Sequence, residues 1–231
     1  LHAGLGRMMT QIKALTEIPV AVITNGSLLY LPEVRQDLMK ADAVLPSLDA
    51  GTEALYRKIN RPWPELTFER LVTGLTAFRR EYAGRLWIEV MLLKGINDTE
   101  SALKDLAGVL TGIGPDEVHL NLPIRPPSES WVKPSESEGL TRARNLLGKV
   151  ARVVPPSGGM FDLSAYEDVM DAVIGVLTRH PMLEEEILQT LERWTPDQVE
   201  HALARLSESG KAKAVIRYGK RFWSCSDARY A

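Results

Sequence analysis

Cysteine is nearly missing from this sequence, because Cys225 is the only one among 231 residues. A single cysteine excludes an internal disulfide and fits a reducing compartment, so we expect a cytoplasmic protein. Long hydrophobic runs are missing as well. The longest charge-free run, residues 18–32, includes Asn25 and Pro32 and is too short and too polar to cross a bilayer. We therefore expect no membrane association. Since no basic segment followed by an apolar stretch precedes a cleavage site, we also expect no secretory leader.

Net charge is small, since 28 basic and 30 acidic side chains leave −2. The chain therefore has no overall basic field that would recruit nucleic acid or an anionic membrane. A hydrophobic content of 45% and a charged content of 25% are typical of a globular protein with a core. The first residue is Leu1 rather than Met, and residues 1–4 resemble the entry to a helix already under way. We expect a fragment of a longer protein.

Strand and helix patterns alternate over the first two thirds of the chain. Apolar runs predict strands at 18–24, 42–48, 86–93, 117–122 and 151–154, and three-to-four spacing predicts helices at 3–15, 32–40, 66–82, 99–112 and 138–147. Residues 97–100 are expected to cap the fourth of these helices. This order predicts parallel strands with right-handed crossovers. Two arrangements fit, a partial barrel and an open doubly wound sheet.

The pattern changes after a Pro-Pro-Ser-Gly-Gly segment at 155–159. We expect a first domain at 1–154, a linker at 155–165 and a second domain at 166–231. The second domain shows helices at 166–178 and 183–191, a third helix opened by a capping box at 195–198, and a hairpin of strands at 211–217 and 221–224. Three helices and a hairpin predict a winged helix.

Polar residues follow the first two predicted strands. Asn25 and Gly26 end the first strand, and Ser47 and Asp49 end the second on the same side of the chain, because side chains alternate along a strand. Polar side chains at the carboxyl ends of parallel strands are typical of ligand sites in α/β proteins. The structural alternatives are an Asn-Gly turn and an Asp helix cap.

Later strands add further candidates. Glu89 lies on the third strand, where a carboxylate that points into a barrel needs a partner or a ligand. Asn121 ends the fourth strand, and His119 lies two residues earlier, where a histidine satisfied within the core is the expected alternative. Candidate substrate contacts are Glu89 and two loop residues, Arg61 and Arg125, although Arg61 equally fits a loop-anchoring or solvated role. The four histidines lack metal-ligand spacing, so we expect no zinc site.

The pairing of ITNG at 23–26 with PSLDAG at 46–51 resembles the third and fourth strands of radical S-adenosylmethionine (radical SAM) enzymes. The likeness is greatest to a group of iron–sulfur oxidoreductases allied to the tRNA wybutosine-synthesis enzyme, and it covers residues 1–154. It implies a partial (β/α) barrel from the third strand onward. It also implies that S-adenosylmethionine (SAM) binds at the strand ends, with cofactor contacts from Asn25, Gly26, Ser47, Asp49 and Asn121.

The same resemblance implies a four-iron four-sulfur cluster, which in this family cleaves SAM to a 5′-deoxyadenosyl radical. Three cysteines after the first barrel strand hold that cluster, and a Gly-Glu motif after the second strand binds the methionine amine. Neither motif occurs in this sequence. We therefore expect the cluster ligands to precede residue 1 in the full-length protein, and this chain alone to be inactive.

Two alternative interpretations remain. The first is a nucleic-acid-binding or regulatory protein whose winged helix is the active part, and the second is an unrelated α/β barrel enzyme. Charge argues against the nucleic-acid function, because the third helix of the second domain carries three acidic residues against Arg205 alone. Five basic residues cluster on the predicted wing: Lys211, Lys213, Arg217, Lys220 and Arg221. These residues make RNA or an acidic protein an alternative partner of the second domain. A role of this domain in docking or dimerisation is the plainer alternative.

Overall fold

The computed structural model describes residues 4–123, 129–154, 163, 166–179, 181–217 and 219–226. The chain divides into two compact units. The first contains residues 1–123 and 131–155, and the second contains residues 124–130 and 156–231. None of the described helices is both long enough and apolar enough to span a membrane.

Helices and strands alternate in the first unit. The helices are α1 (Leu5–Leu15), α2 (Pro32–Leu38), α3 (Glu53–Asn60), α4 (Phe68–Glu81), α5 (Glu100–Ile113) and α6 (Ser137–Leu147). The strands are β1 (Ala21–Thr24), β2 (Ala43–Pro46), β3 (Arg85–Met91), β4 (Glu117–Asn121) and β5 (Ala151–Val153). All neighbouring pairs are parallel, in the order β1-β2-β3-β4-β5. This parallel sheet, with helices between its strands, confirms the predicted parallel order.

Threonine side chains begin three consecutive helices. Thr52, Thr67 and Thr99 accept hydrogen bonds from backbone N–H groups in the first turns of α3, α4 and α5. The cap predicted within residues 97–100 is thus Thr99. Helix α3 is not among the helices predicted above. Tyr56 is its only buried residue, so its sequence shows little of the apolar periodicity that predicts a helix.

The two faces of the sheet differ. Leu86, Ile88 and Val90 of β3 are fully buried and pack with apolar residues from all six helices. Trp87 and Glu89, which alternate with them, lie on the other face and remain half-buried. A doubly wound sheet would carry helices on both faces. Since the described helices of this unit pack on one face, the arrangement is that of a segment of a (β/α) barrel. We call the other side the open face.

A glycine allows helix α5 to approach the end of β2. A Cβ atom on Gly51 would lie 2.2 Å from the backbone nitrogen of Leu106. No side chain fits in that gap without moving the α5 backbone. The polar segment that follows β2 is therefore held directly against the helix layer.

The second unit consists of α7 (Val169–Arg179), β6 (Met182–Leu183), α8 (Glu184–Thr190), α9 (Pro196–Glu208), β7 (Ala212–Arg217) and β8 (Lys220–Cys225). The three strands are antiparallel in the order β6-β8-β7. Thr195 and Gln198 form the predicted capping box of α9. Strand β6 extends the predicted hairpin to three strands, and its two residues are too few for an alternating pattern. The winged-helix assignment stays a prediction.

Candidate functional site

Polar side chains meet where β2, β3 and β4 end. Ser47 forms a parallel bridge with Glu89, and Met91 of β3 pairs with Asn121 of β4. Side chains two residues apart on a strand share a face, so Ser47, Glu89 and Asn121 all lie on the open face. These three residues form what we call the polar edge. Three of the predicted site residues are thus brought together at the ends of neighbouring strands.

One hydrogen bond joins β3 and β4 across the polar edge. The side-chain amide of Asn121 donates to Oε1 of Glu89 over 3.1 Å. Within the described residues, Glu89 Oε2 and the Ser47 hydroxyl have no protein partner, and Glu89 forms no ion pair. A half-buried carboxylate without a cation is favourably placed to meet a positively charged ligand group.

Asp49 lies behind the polar edge and is only 9% exposed. Its Oδ1 accepts from the Met91 backbone N–H over 2.8 Å, and its Oδ2 accepts from the Asn60 side-chain amide over 2.7 Å. Burial raises the pKa of the Asp49 carboxyl, the two hydrogen bonds lower it in part, and the charge of Glu89 raises it further. Asp49 does not cap α3, because Thr52 does.

Asn97 completes the connection between β2 and β3 and is 1% exposed. Its Oδ1 accepts from the Leu93 N–H over 2.7 Å. Its amide nitrogen donates to the carbonyls of Asp49 and Met91, both over 2.8 Å. The sequence predicted a helix cap in this segment and missed this role, because the partners lie up to 48 residues away.

Asp98, which follows, fastens the same loop to the segment before α6. Its Oδ1 accepts from the Gly95 N–H over 2.7 Å, and its Oδ2 accepts from the Ser135 hydroxyl over 2.6 Å. Arg142 donates to the Asp98 carbonyl over 2.7 Å. Asp98 and Ser135 are buried, so the hydrogen bond between this loop and the segment before α6 is shielded from water.

Asn25 and Gly26 form a local turn after β1. Asn25 Oδ1 accepts from both the N–H and the hydroxyl of Ser27, and Gly26 has φ of 71°. The structural alternative for this motif is therefore present. Within the described residues the Asn25 amide nitrogen has no partner, so the turn leaves one donor for a ligand.

Arg61 directly follows Asn60 at the end of α3, with φ of 44°. It is the only residue other than glycine with positive φ among those described. Its side chain is exposed. This left-handed conformation is a common way for a helix to end, so the backbone of Arg61 is explained by its position as the C-cap of α3. Arg125 lies outside the described residues.

His119 belongs to the open face rather than to the helix-packed core. Its ring stacks on Trp87 with centroids 5.4 Å apart, and its Nε2 lies 3.0 Å from a carboxylate oxygen of Glu117. Arg152 approaches the other Glu117 oxygen at 3.8 Å. The expected satisfied histidine is thus present, but it is satisfied on the open face.

The chain does not supply ligands for an iron–sulfur cluster. Three cysteines would be needed, and Cys225 belongs to the second unit. Across the described ranges, no group of three or more His, Cys, Asp or Glu side chains is suited to hold a metal ion.

Part of the basic charge on the predicted wing is neutralised within the second unit. Lys220 lies 3.8 Å from Glu185, and Arg221 lies 3.3 Å from Glu184. Glu184 also accepts from the Trp223 indole N–H over 2.7 Å. These pairs reduce the charge that phosphate groups would meet.

The curated proteins similar to this chain include two that are 35% identical to it, and no family model matches it. A protein named GTPase Obg from Brachyspira hyodysenteriae is 35% identical over 222 residues, which are 95% of this chain and 32% of that protein. A UPF0026 protein from Methanocaldococcus jannaschii is 35% identical over 183 residues, which are 77% of this chain and 56% of that protein. The chain thus spans 32% of the length of the first relative and 56% of the second.

A solved structure shares the fold of about two thirds of this chain. A domain of pyruvate-formate lyase-activating enzyme from Bacteroides vulgatus has a TM-score of 0.52 at 16% identity, covering 65% of this chain and 89% of that one. This likeness shows the fold. A radical SAM methyltransferase from Sphaerobacter thermophilus is 25% identical over 58% of this chain and 39% of that one, with a TM-score of 0.46, too low for any inference.

Proposed function

We propose that this chain is the carboxyl-terminal part of a radical SAM enzyme, and that its open face binds S-adenosylmethionine. One observation carries the proposal. The helices of the first unit pack on one face of a parallel sheet, and Ser47, Glu89 and Asn121 lie close together on the other face, at the carboxyl ends of three neighbouring strands. Ligands of α/β barrels bind at this end.

The polar edge suits the chemistry of SAM, which carries an ammonium group, a sulfonium group and ribose hydroxyls. Glu89 offers a carboxylate oxygen to positive charge, and Ser47 and Asn121 offer groups that pair with hydroxyls and amines. Asn25 and Gly26 lie at the end of β1, next to β2. We assign the cofactor side of the site to these five residues, and we assign substrate contacts to Arg61 and Arg125, with Glu89 bordering both.

Radical generation belongs to the full-length protein in this proposal, because this chain supplies no set of thiolates for a four-iron four-sulfur cluster. Its own residues bind and orient SAM, and no step of the cleavage is assigned to them. The alliance with the wybutosine-synthesis enzyme stays a prediction. The name GTPase contributes nothing to the proposal, since the sequence contains neither Gly-Lys-Ser nor Gly-Lys-Thr, with which a phosphate-binding P-loop ends.

Calorimetric titration of the full-length protein with SAM under anaerobic conditions tests the proposal. Ser47→Ala and Asn121→Ala should each weaken SAM binding by about threefold to tenfold, since each removes one polar contact. Thr141→Ala is a matched control, because its hydroxyl is exposed on α6 and bonds only to the Ser137 carbonyl. Unchanged affinity in both site variants would assign the polar edge a structural role, and absence of wild-type binding would refute the function.

A further inference from the structure

We infer that Asp49 is a positioning residue for the SAM site, which acts through Met91 and Asn60 and does not itself touch the ligand. The inference rests on the proposed function. It changes the role that the strand-end pattern gives to Asp49, which the sequence groups with Ser47 as a direct contact.

Both carboxylate oxygens of Asp49 are engaged by the protein. Met91 N–H and the Asn60 side-chain amide donate to different oxygens over 2.8 and 2.7 Å. Each oxygen retains a lone pair, but with 9% of the residue exposed a ligand has little access to them. Ser47 and Glu89, in contrast, are half-buried on the open face.

Main-chain pairing between β2 and β3 gives way to side chains at this point. Leu48 N–H still donates to the Glu89 carbonyl over 2.9 Å. Two residues further, Met91 donates its N–H to the Asp49 carboxylate and receives the Asn97 amide on its carbonyl. The strand ends are therefore joined by Asp49 and Asn97 instead of by a ladder.

This junction determines the spacing of the polar edge. Ser47 precedes Asp49 by two residues, and Glu89 precedes Met91 by two, so movement of the Asp49–Met91 contact moves both ligand-facing side chains. Asn60 connects the same carboxylate to the end of α3, next to the left-handed Arg61. One buried carboxylate thus holds β2, β3 and α3 in a common arrangement.

Two variants of Asp49 separate positioning from direct contact. Asn at this position keeps an oxygen for Met91 N–H, and rotation of the Asn60 amide restores the second bond. Asp49→Asn in the full-length protein should therefore keep SAM affinity within about threefold, whereas Asp49→Ala should weaken it about tenfold. Tyr82→Phe is the control for lost stability, because it removes a buried hydrogen bond to Ala41 elsewhere in the core.

Hydrogen exchange of the Met91 amide supplies a readout that does not depend on the ligand. Exchange should be faster in Asp49→Ala than in wild type, and close to wild type in Asp49→Asn. If Asp49→Asn loses as much SAM affinity as Asp49→Ala, the carboxylate contacts the ligand and the inference is wrong. Wild-type affinity in Asp49→Ala would also overturn it. Absence of SAM binding by the wild-type protein would overturn the proposed function together with this inference.

Discussion

The covered and open faces of the five-stranded sheet are built from the same strands but differ in chemistry. Along β3, Leu86, Ile88 and Val90 are completely buried, whereas Trp87 and Glu89 are half-buried. The same alternation continues in β4, where Val118 and Leu120 are buried and Glu117, His119 and Asn121 are half-buried.

This difference shows that one strand serves two purposes. Parallel sheets in proteins usually have both faces covered, and their strands are then apolar throughout. In this sheet the open-face residues of β3 and β4 remain half-buried or exposed and include Glu89, His119 and Asn121, whereas β2 is buried on both faces. In the proposed function, SAM and its substrate are the occupants at the carboxyl end of the open face.

The largest expected effect comes from a pair of adjacent substitutions on opposite faces. Ile88→Ala should lower the free energy of unfolding by about 2–5 kcal/mol, because it leaves a cavity in the core. Glu89→Ala should lower it by no more than about 1 kcal/mol, because water reaches the groups it leaves. Urea denaturation of the chain measures both, and equal losses would contradict the assignment of the faces.

A pair of glycines probes the helix layer on the covered face. Gly51→Ala should destabilise the chain by about 1–3 kcal/mol, because the new methyl group would collide with the α5 backbone. Gly108→Ala, within α5 itself, has nothing within 4 Å of its new Cβ and should stabilise by about 0.5–1 kcal/mol. If the melting temperature shifts in the same direction for both variants, α5 does not closely contact the backbone at Gly51.

Tyr82 tests how polar groups are satisfied on the covered face. Its hydroxyl donates to the Ala41 carbonyl over 2.7 Å, and burial raises its pKa to about 12. Tyr82→Phe should lower the free energy of unfolding by about 1 kcal/mol, since it leaves a buried carbonyl unpaired. Because the phenol stays protonated, the loss should be the same at pH 6 and pH 9. A loss that disappears at pH 9 would contradict this account.

Local patterns in the sequence predicted the parallel order of strands and helices in the first unit, and left a partial barrel and a doubly wound sheet as alternatives. Alternation was sufficient to place Glu89 opposite Ile88, and capping chemistry was sufficient for the starts of α5 and α9. These local patterns could not predict the hydrogen bonds of Asp49, because Asn60 and Met91 lie 11 and 42 residues further along the chain. Such contacts depend on how strands and helices pack, and the same is true of Asn97 and of the His119–Trp87 stack.

The smallest expected effect distinguishes two aspartates by the sign of their pH dependence. Burial raises the pKa of Asp49 in the folded state, so the folded protein holds that proton more tightly than the unfolded chain does. Stability from this group is present below the ordinary aspartate range and is lost as pH rises through the raised pKa. Asp49→Asn lacks the titration, so its stability relative to wild type should improve as pH rises from about 4 to 7.

Asp42 is the matched control, because it accepts from Lys13 and from the Val20 N–H, which lower its pKa. Its stabilisation is present above the ordinary aspartate range and is lost as pH falls. Asp42→Asn should therefore become less stable relative to wild type as pH rises, which is the opposite of the trend expected for Asp49→Asn. Urea denaturation of both variants at several pH values measures the two slopes. Slopes of the same sign would show that burial does not raise the pKa of Asp49 in the folded protein.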